Sequence, residues 1–181
     1  MDDELSSRLE DVPGRSGTFT RVLATLFVVC AVAFWLFAFS PWARDIFQAP
    51  DQIADETYVS ALDGRCAAAR SLLLELPLAQ NATSPVERAS ALSEANDILT
   101  EMANDLAGID GGTDNDRRLV GLWLDDWGIY LGDRANHVGR LVTEGDVRFL
   151  TSEVNGVFIN ERMDGFARVN DLDNCETPGD V

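Results

Sequence analysis

The sequence predicts an all-α protein: one N-terminal transmembrane helix, then an extracytoplasmic bundle of three long helices and one short one. Three observations carry that prediction. A run from Val22 to Ala43 holds no charged residue. Three later segments repeat apolar residues at spacings of three and four, the period of an amphipathic helix. Proline, glycine and capping residues punctuate those segments where helices should begin and end.

The uncharged run comes first. Its 22 residues, bracketed by Arg21 and Arg44, make a helix of about 33 Å, enough to cross the hydrocarbon core of a bilayer. Trp42 sits where an interfacial aromatic anchor belongs. The run is too long for a signal-peptide core, and a cut after Ser40 would fall next to Pro41. Val29 before Cys30 does not suit a lipoprotein site. The expectation is an uncleaved anchor over residues 21–43, after a disordered cytoplasmic tail over 1–20. Arg8, Arg15 and Arg21 precede the span and only Arg44 follows closely, which predicts N-terminus inside and C-terminal domain outside the cytoplasmic membrane. Ala24, Ala31 and Ala38 recur every seven residues, a small-residue face on which another helix can pack. With no cytoplasmic output domain in view, a stand-alone receptor is not expected.

A linker over 44–54 leads to the bundle, expected over 55–175. The first external helix should run from about Asp55 to Leu76, with a seam of Val59, Leu62, Cys66, Ala69, Leu73 and Leu76, and end at Pro77. The second opens with Ser84 as N-cap, Pro85 at the first helical position and Glu87 closing a capping box. Its seam is Ala89, Leu92, Ala95, Leu99, Met102 and Leu106, and Gly108 stops it.

The loop Asp110–Asp116 holds three Asp and two Gly. Its spacing departs from an EF-hand loop, and the favoured reading is a helix connection capped by Thr113 or Asp114.

The third long helix, about Asn115 to Thr143 before Gly145, contains "WLDDWGIYLGDRANHVGRL". Val120, Leu124, Trp127, Leu131, Ala135, Val138 and Val142 form an apolar stripe, flanked by Trp123 and Tyr130. A second, polar stripe runs beside it. Asp126, Tyr130 and Arg134 are spaced for a hydrogen-bonded ladder, and Asp133 is spaced to pair with His137. Asp126, Tyr130, Arg134 and His137 are the candidate ligand-binding residues. Asp133 and His137 are also two potential metal ligands, and Asp126 a potential general base. Neither reading has its full set: the chain has one His, tetrahedral zinc needs four ligands, and no G-x-S-x-G elbow accompanies a Ser–His–Asp arrangement. No catalytic residue, metal or cofactor is assigned.

Beyond Gly145, Asn155-Gly156 is a tight-turn signal between Phe149–Val154 and Val157–Ile159, which predicts a small hairpin or an ordered loop near 147–159. Ile159, Met163, Phe166 and Val169 mark a short helix from about Asn160 to Asn170. Residues 176–181 form a tail. Cys66 and Cys175 both fall outside the membrane, where disulfides persist. A bridge between them closes a loop of about 110 residues, worth ~4–5 kcal/mol in the chain-entropy model. The Asn81-Ala82-Thr83 sequon matters only in a glycosylating host.

The net charge of −17, with all 14 basic residues Arg, argues against a nucleic-acid partner, since no basic surface is expected to neutralise its phosphates.

Trp123, Asp126-Trp127, Tyr130, Asp133-Arg134, Gly145, Phe149, Asn155-Gly156, Phe166, Asn170 and Cys175, taken in order, resemble a group of uncharacterised actinobacterial membrane proteins with one N-terminal span and an exported helical domain. The resemblance covers about residues 115–181. It implies that topology and no catalytic residue.

Two functions follow as expectations. The first is a non-catalytic accessory protein that binds a membrane-protein partner through the transmembrane helix or the acidic bundle. The alternative is an extracytoplasmic sensor or module binding a cation or small ligand.

Overall fold

The computed structural model describes the backbone of residues 16–38 and 50–181, and the side chains of 21–36 and 50–181. It divides the chain into two units, Met1–Gln48 and Ala49–Val181.

In the first unit, helix α1 spans Ser16–Ala38. It starts six residues before Val22, so part of the expected disordered tail is helical. Its apolar side chains are exposed, Phe27, Phe34, Trp35 and Leu36 among them. Among the described residues, no helix is long and apolar enough to cross a membrane. The described helices therefore do not support the expected span, and residues 39–43 of it lie outside the described residues.

The second unit is a helical bundle. Helices α2 (Glu56–Glu75), α3 (Pro85–Ala107) and α4 (Asp114–Glu144) are joined by short connections, which make consecutive helices antiparallel neighbours. A two-residue hairpin, β1 (Glu153–Val154) and β2 (Val157–Phe158), precedes α5 (Ile159–Val169). Asn155 and Gly156 both have positive φ, as the expected tight turn requires. Helix α3 packs on α2 and α4, α5 packs on α4, and a 3-10 turn at Asp173–Cys175 returns the chain to α2. There Cys175 is disulfide-bonded to Cys66, 109 residues away.

The core is built from Leu62 and Cys66 of α2, Leu99, Met102 and Leu106 of α3, Trp123, Trp127 and Tyr130 of α4, and Ile159, Met163 and Ala167 of α5. The predicted α3 seam is buried at all six positions. In α2, Leu62, Cys66 and Ala69 are buried, while Val59 and Leu73 are only partly so and Tyr58 takes a core place.

Capping residues tie these elements together. The Asp55 carboxylate accepts from the N–H groups of Thr57 and Tyr58, capping α2, and from Gly112 N–H across the unit. Ser84 caps α3, but Glu87 reaches back to Thr83, accepting from its N–H and hydroxyl, rather than to Ser84 as the capping box predicts. Thr113 and Asp116 form a capping box on α4, so the acidic loop is a helix connection. Gly112 is required there: its φ is +66°, and an added Cβ would meet the Tyr58 ring at 2.7 Å.

The bundle also begins earlier than expected. Asn170 at the end of α5 accepts from Ile53 N–H at 2.6 Å and donates to the Asp51 carbonyl at 3.1 Å. Residues 51–54 are thus part of the bundle rather than linker.

Candidate functional site

Helix α4 carries the candidate residues, and its buried face differs from the one the apolar pattern selects. Leu119, Trp123, Asp126, Tyr130, Arg134, His137 and Leu141 are buried. Each lies one residue before a member of the predicted stripe, a rotation of about 100° on a helix. Of that stripe Val120 and Trp127 are buried, Leu124, Leu131 and Val138 are half-buried, and Ala135 and Val142 are exposed. The polar stripe is therefore the core face. Burial follows partners here: a polar group enters the interior when its hydrogen bonds are supplied.

Those partners come from distant sequence. The Asp126 carboxylate accepts from Arg162 of α5, Nε at 3.1 Å and Nη2 at 3.0 Å. Arg134, fully buried, donates from Nε to Asn96 Oδ1 at 2.6 Å and from Nη1 and Nη2 to the two carboxylate oxygens of Asp180, at 2.5 and 2.8 Å. It donates to the Tyr130 hydroxyl at 3.5 Å and stands 5.7 Å from that ring's centre. The Tyr130–Arg134 half of the expected ladder is thus present, and the Asp126 half is replaced by Arg162. Asp133 does not pair with His137: its carboxylate accepts from the N–H and hydroxyl of Ser152, at 2.6 and 2.8 Å. The tail over 176–181 is docked, since Asp180 holds Arg134 and Thr177 donates to Asp164.

The aromatic residues form a continuous series. Phe166 stacks on Trp123 at 5.4 Å. Edge contacts then link Trp123, Trp127, Tyr130, Phe149 and His137 in turn, at 5.4–6.2 Å. These are packing distances that favour T-shaped rings, and they answer why so many rings share one helix: they line its core face.

At one end of this series, a groove of about 450 Å³ is lined by Leu122, Trp123, Asp126, Arg162, Phe166 and Val169. At the other, a cavity of about 500 Å³ is lined by Arg88, His137, Arg148, Phe149 and Thr151, with Gly179, Asp180 and Val181 also lining it. Tyr130 and Arg134 are buried between them. The four candidate residues thus share one helix face but no common cavity.

Electrostatics separate the two ends. Burial lowers the His137 imidazole below its ordinary value, and Arg140, Arg88 and Arg134 lower it further, with Asp146 opposing. Among the described residues its Nδ1 has no hydrogen-bond partner, and neither does the buried Nε of Arg88. Burial raises the Tyr130 hydroxyl, against Arg134. No group of three or more His, Cys, Asp or Glu among the described residues could hold a metal ion. Sequence reasoning missed Arg88, Arg148, Arg162 and Asp180. No local pattern marks them, because each meets α4 from another element.

Compared with protein-family profiles, with curated proteins and with solved structures, the chain matches none.

Proposed function

We propose that this chain is a single-pass, membrane-anchored extracytoplasmic accessory protein without catalytic activity. Its bundle and anchor bind a membrane-protein partner. The observation that carries the reading is the Cys66–Cys175 disulfide, because such bridges persist in oxidising compartments and are rare in the cytosol. The anchor is supported by the uncharged run Val22–Ala43 and by the exposed apolar side chains of α1, which need an apolar covering. The three Arg before the run and one after support the orientation. The actinobacterial resemblance points the same way. A non-catalytic role is supported by how fully Asp126, Asp133 and Arg134 are engaged by Arg162, Ser152 and Asp180.

The test is topology followed by capture. External protease on intact cells should degrade the bundle, and Cys66 and Cys175 should resist alkylation until a reductant is added. Full-length protein purified from native membranes in mild detergent should carry a stoichiometric membrane partner, identified by mass spectrometry. A protease-protected bundle, or thiols that alkylate without reductant, would sink the topology. Partner-free protein would sink the accessory role.

A second reading, an extracytoplasmic sensor or small-ligand-binding module, is favoured by one observation: the cavity beside His137.

A further inference from the structure

We infer that the cavity between α3, α4 and the 145–152 loop is a binding site for a small oxyanion, a phosphate or carboxylate group held by Arg88, Arg148 and His137. The inference rests on the ligand-binding reading and names its chemistry.

The cavity has the size of a ligand pocket, about 500 Å³. Two of its lining residues present buried nitrogen atoms with no partner among the described residues, Nδ1 of His137 and Nε of Arg88. His137 itself is 5% exposed. Buried polar atoms are ordinarily paired, and an unpaired one asks what completes it.

Charge selects the ligand. Around His137 stand Arg88 from α3 and Arg134 and Arg140 from α4, with Arg148 on the loop lining the same cavity. Asp180 and Val181 line the cavity too, and the acidic side chains facing these arginines are each held by a partner. Asp180 is held by Arg134 and Asp146 by Arg88, while Glu144 lies 3.4 Å from Arg140. The Asp133 carboxylate is held by Ser152. Among the described residues no carboxylate pairs with Arg148. In a chain of net charge −17, three guanidinium groups act on the His137 imidazole and a fourth, that of Arg148, lines the same cavity. Because each of those three has a carboxylate partner, the arrangement open to a ligand consists of Arg148 and the unpaired nitrogens of Arg88 and His137. It suits an oxyanion, whose oxygens match the fork of Arg and can accept from a ring N–H.

His137 is the only histidine, so its ring signal in the NMR spectrum of the full chain, in uncharged detergent micelles, reports this site alone. A bound anion favours the imidazolium, so binding must raise the His137 midpoint. The titration is run in inorganic phosphate and in sodium chloride of equal ionic strength, on the native chain, on Arg148→Gln and on Arg118→Gln, an exposed arginine of α4 away from the cavity. Phosphate is expected to raise the midpoint by about half a pH unit or more in the native chain and in Arg118→Gln, and to lose most of that effect in Arg148→Gln. A parallel sample doped with phosphatidylglycerol and free of inorganic phosphate separates a lipid headgroup from a free ion. A shift in either arm that needs Arg148 supports the site. Equal midpoints in every arm, or the same shift in Arg148→Gln, would overturn it. If the midpoint stays put while an amine or metal raises the melting temperature, the oxyanion fails and the ligand-binding reading survives. If no such ligand raises it either, both fail.

Discussion

Arg134 shows how a single residue sets what α4 can bury. Its guanidinium is withdrawn from water, and its charge is met by Asp180, which side-chain exposure of 24% leaves near the surface. Removing one partner of a buried pair leaves the other charge uncompensated, which costs about 3–5 kcal/mol. Against a typical domain stability of about 5–15 kcal/mol, Asp180→Ala is expected to destabilise the bundle severely, measured by urea unfolding. Adding Arg134→Met should recover most of the loss, since the cost is the orphaned charge and not a lost contact. Asp116 makes a second prediction. Burial pushes its carboxyl up, but the N–H groups of Ala54 and Thr113 donate to it and hold it below its usual value. A depressed folded pKa contributes stability that is present above the ordinary carboxylate range and is lost as pH falls through the folded value. Asp116→Asn should therefore be less stable than the native chain at neutral pH, and the gap should close in acid. A gap that stays constant between about pH 7 and pH 2 would exclude this role.

At the scale of elements, the α3 seam was legible in full because its face is apolar from end to end and meets apolar neighbours. The α4 face was not. Its apolar residues specify one register, yet its polar residues carry partners on α3, α5 and the chain end, and these rotate the buried face by one residue. Such partners leave no mark in local periodicity. The 3-10 turn at Asp173–Cys175 joins α5 to α2 through the disulfide and through Asp63, whose carboxylate accepts from Asn174 N–H and Nδ2. Since the bridge closes a loop of 109 residues, opening it should cost ~4–5 kcal/mol on the chain-entropy account. For a bundle of this size that lowers the melting temperature by more than about 10 °C. Differential scanning calorimetry with and without reductant measures it, and an unchanged transition would show that the hydrogen bonds to Asp63 suffice.

For the whole molecule, 31 acidic residues against 14 Arg make self-repulsion a general term. Several Arg are committed locally, Arg134 and Arg162 among them, so most of the excess negative charge lies at the surface where salt can screen it. Raising sodium chloride from about 0.01 to 0.15 M shortens the screening length from about 30 to 8 Å. The expected outcome is a higher melting temperature for the native chain. The buried Arg134–Asp180 pair is screened much less, so the penalty of Asp180→Ala should change little with salt. A melting temperature that falls with salt would mean that surface ion pairs outweigh repulsion.

Sequence alone determined that the chain is helical, where α2, α3, α4 and α5 begin and end to within a few residues, that Asn155-Gly156 makes a tight turn, and that Cys66 and Cys175 are the pair to bridge. These are local preferences, or consequences of there being few cysteines, and neighbouring residues suffice to express them. Only the tertiary structure decided which face of α4 is inside, that Asp126 belongs to Arg162 and Arg134 to Asp180, and that His137 lies among arginines rather than beside Asp133. A buried charge is set by whichever group reaches it, and Asp180 reaches Arg134 from 46 residues away, a separation that no helical period encodes.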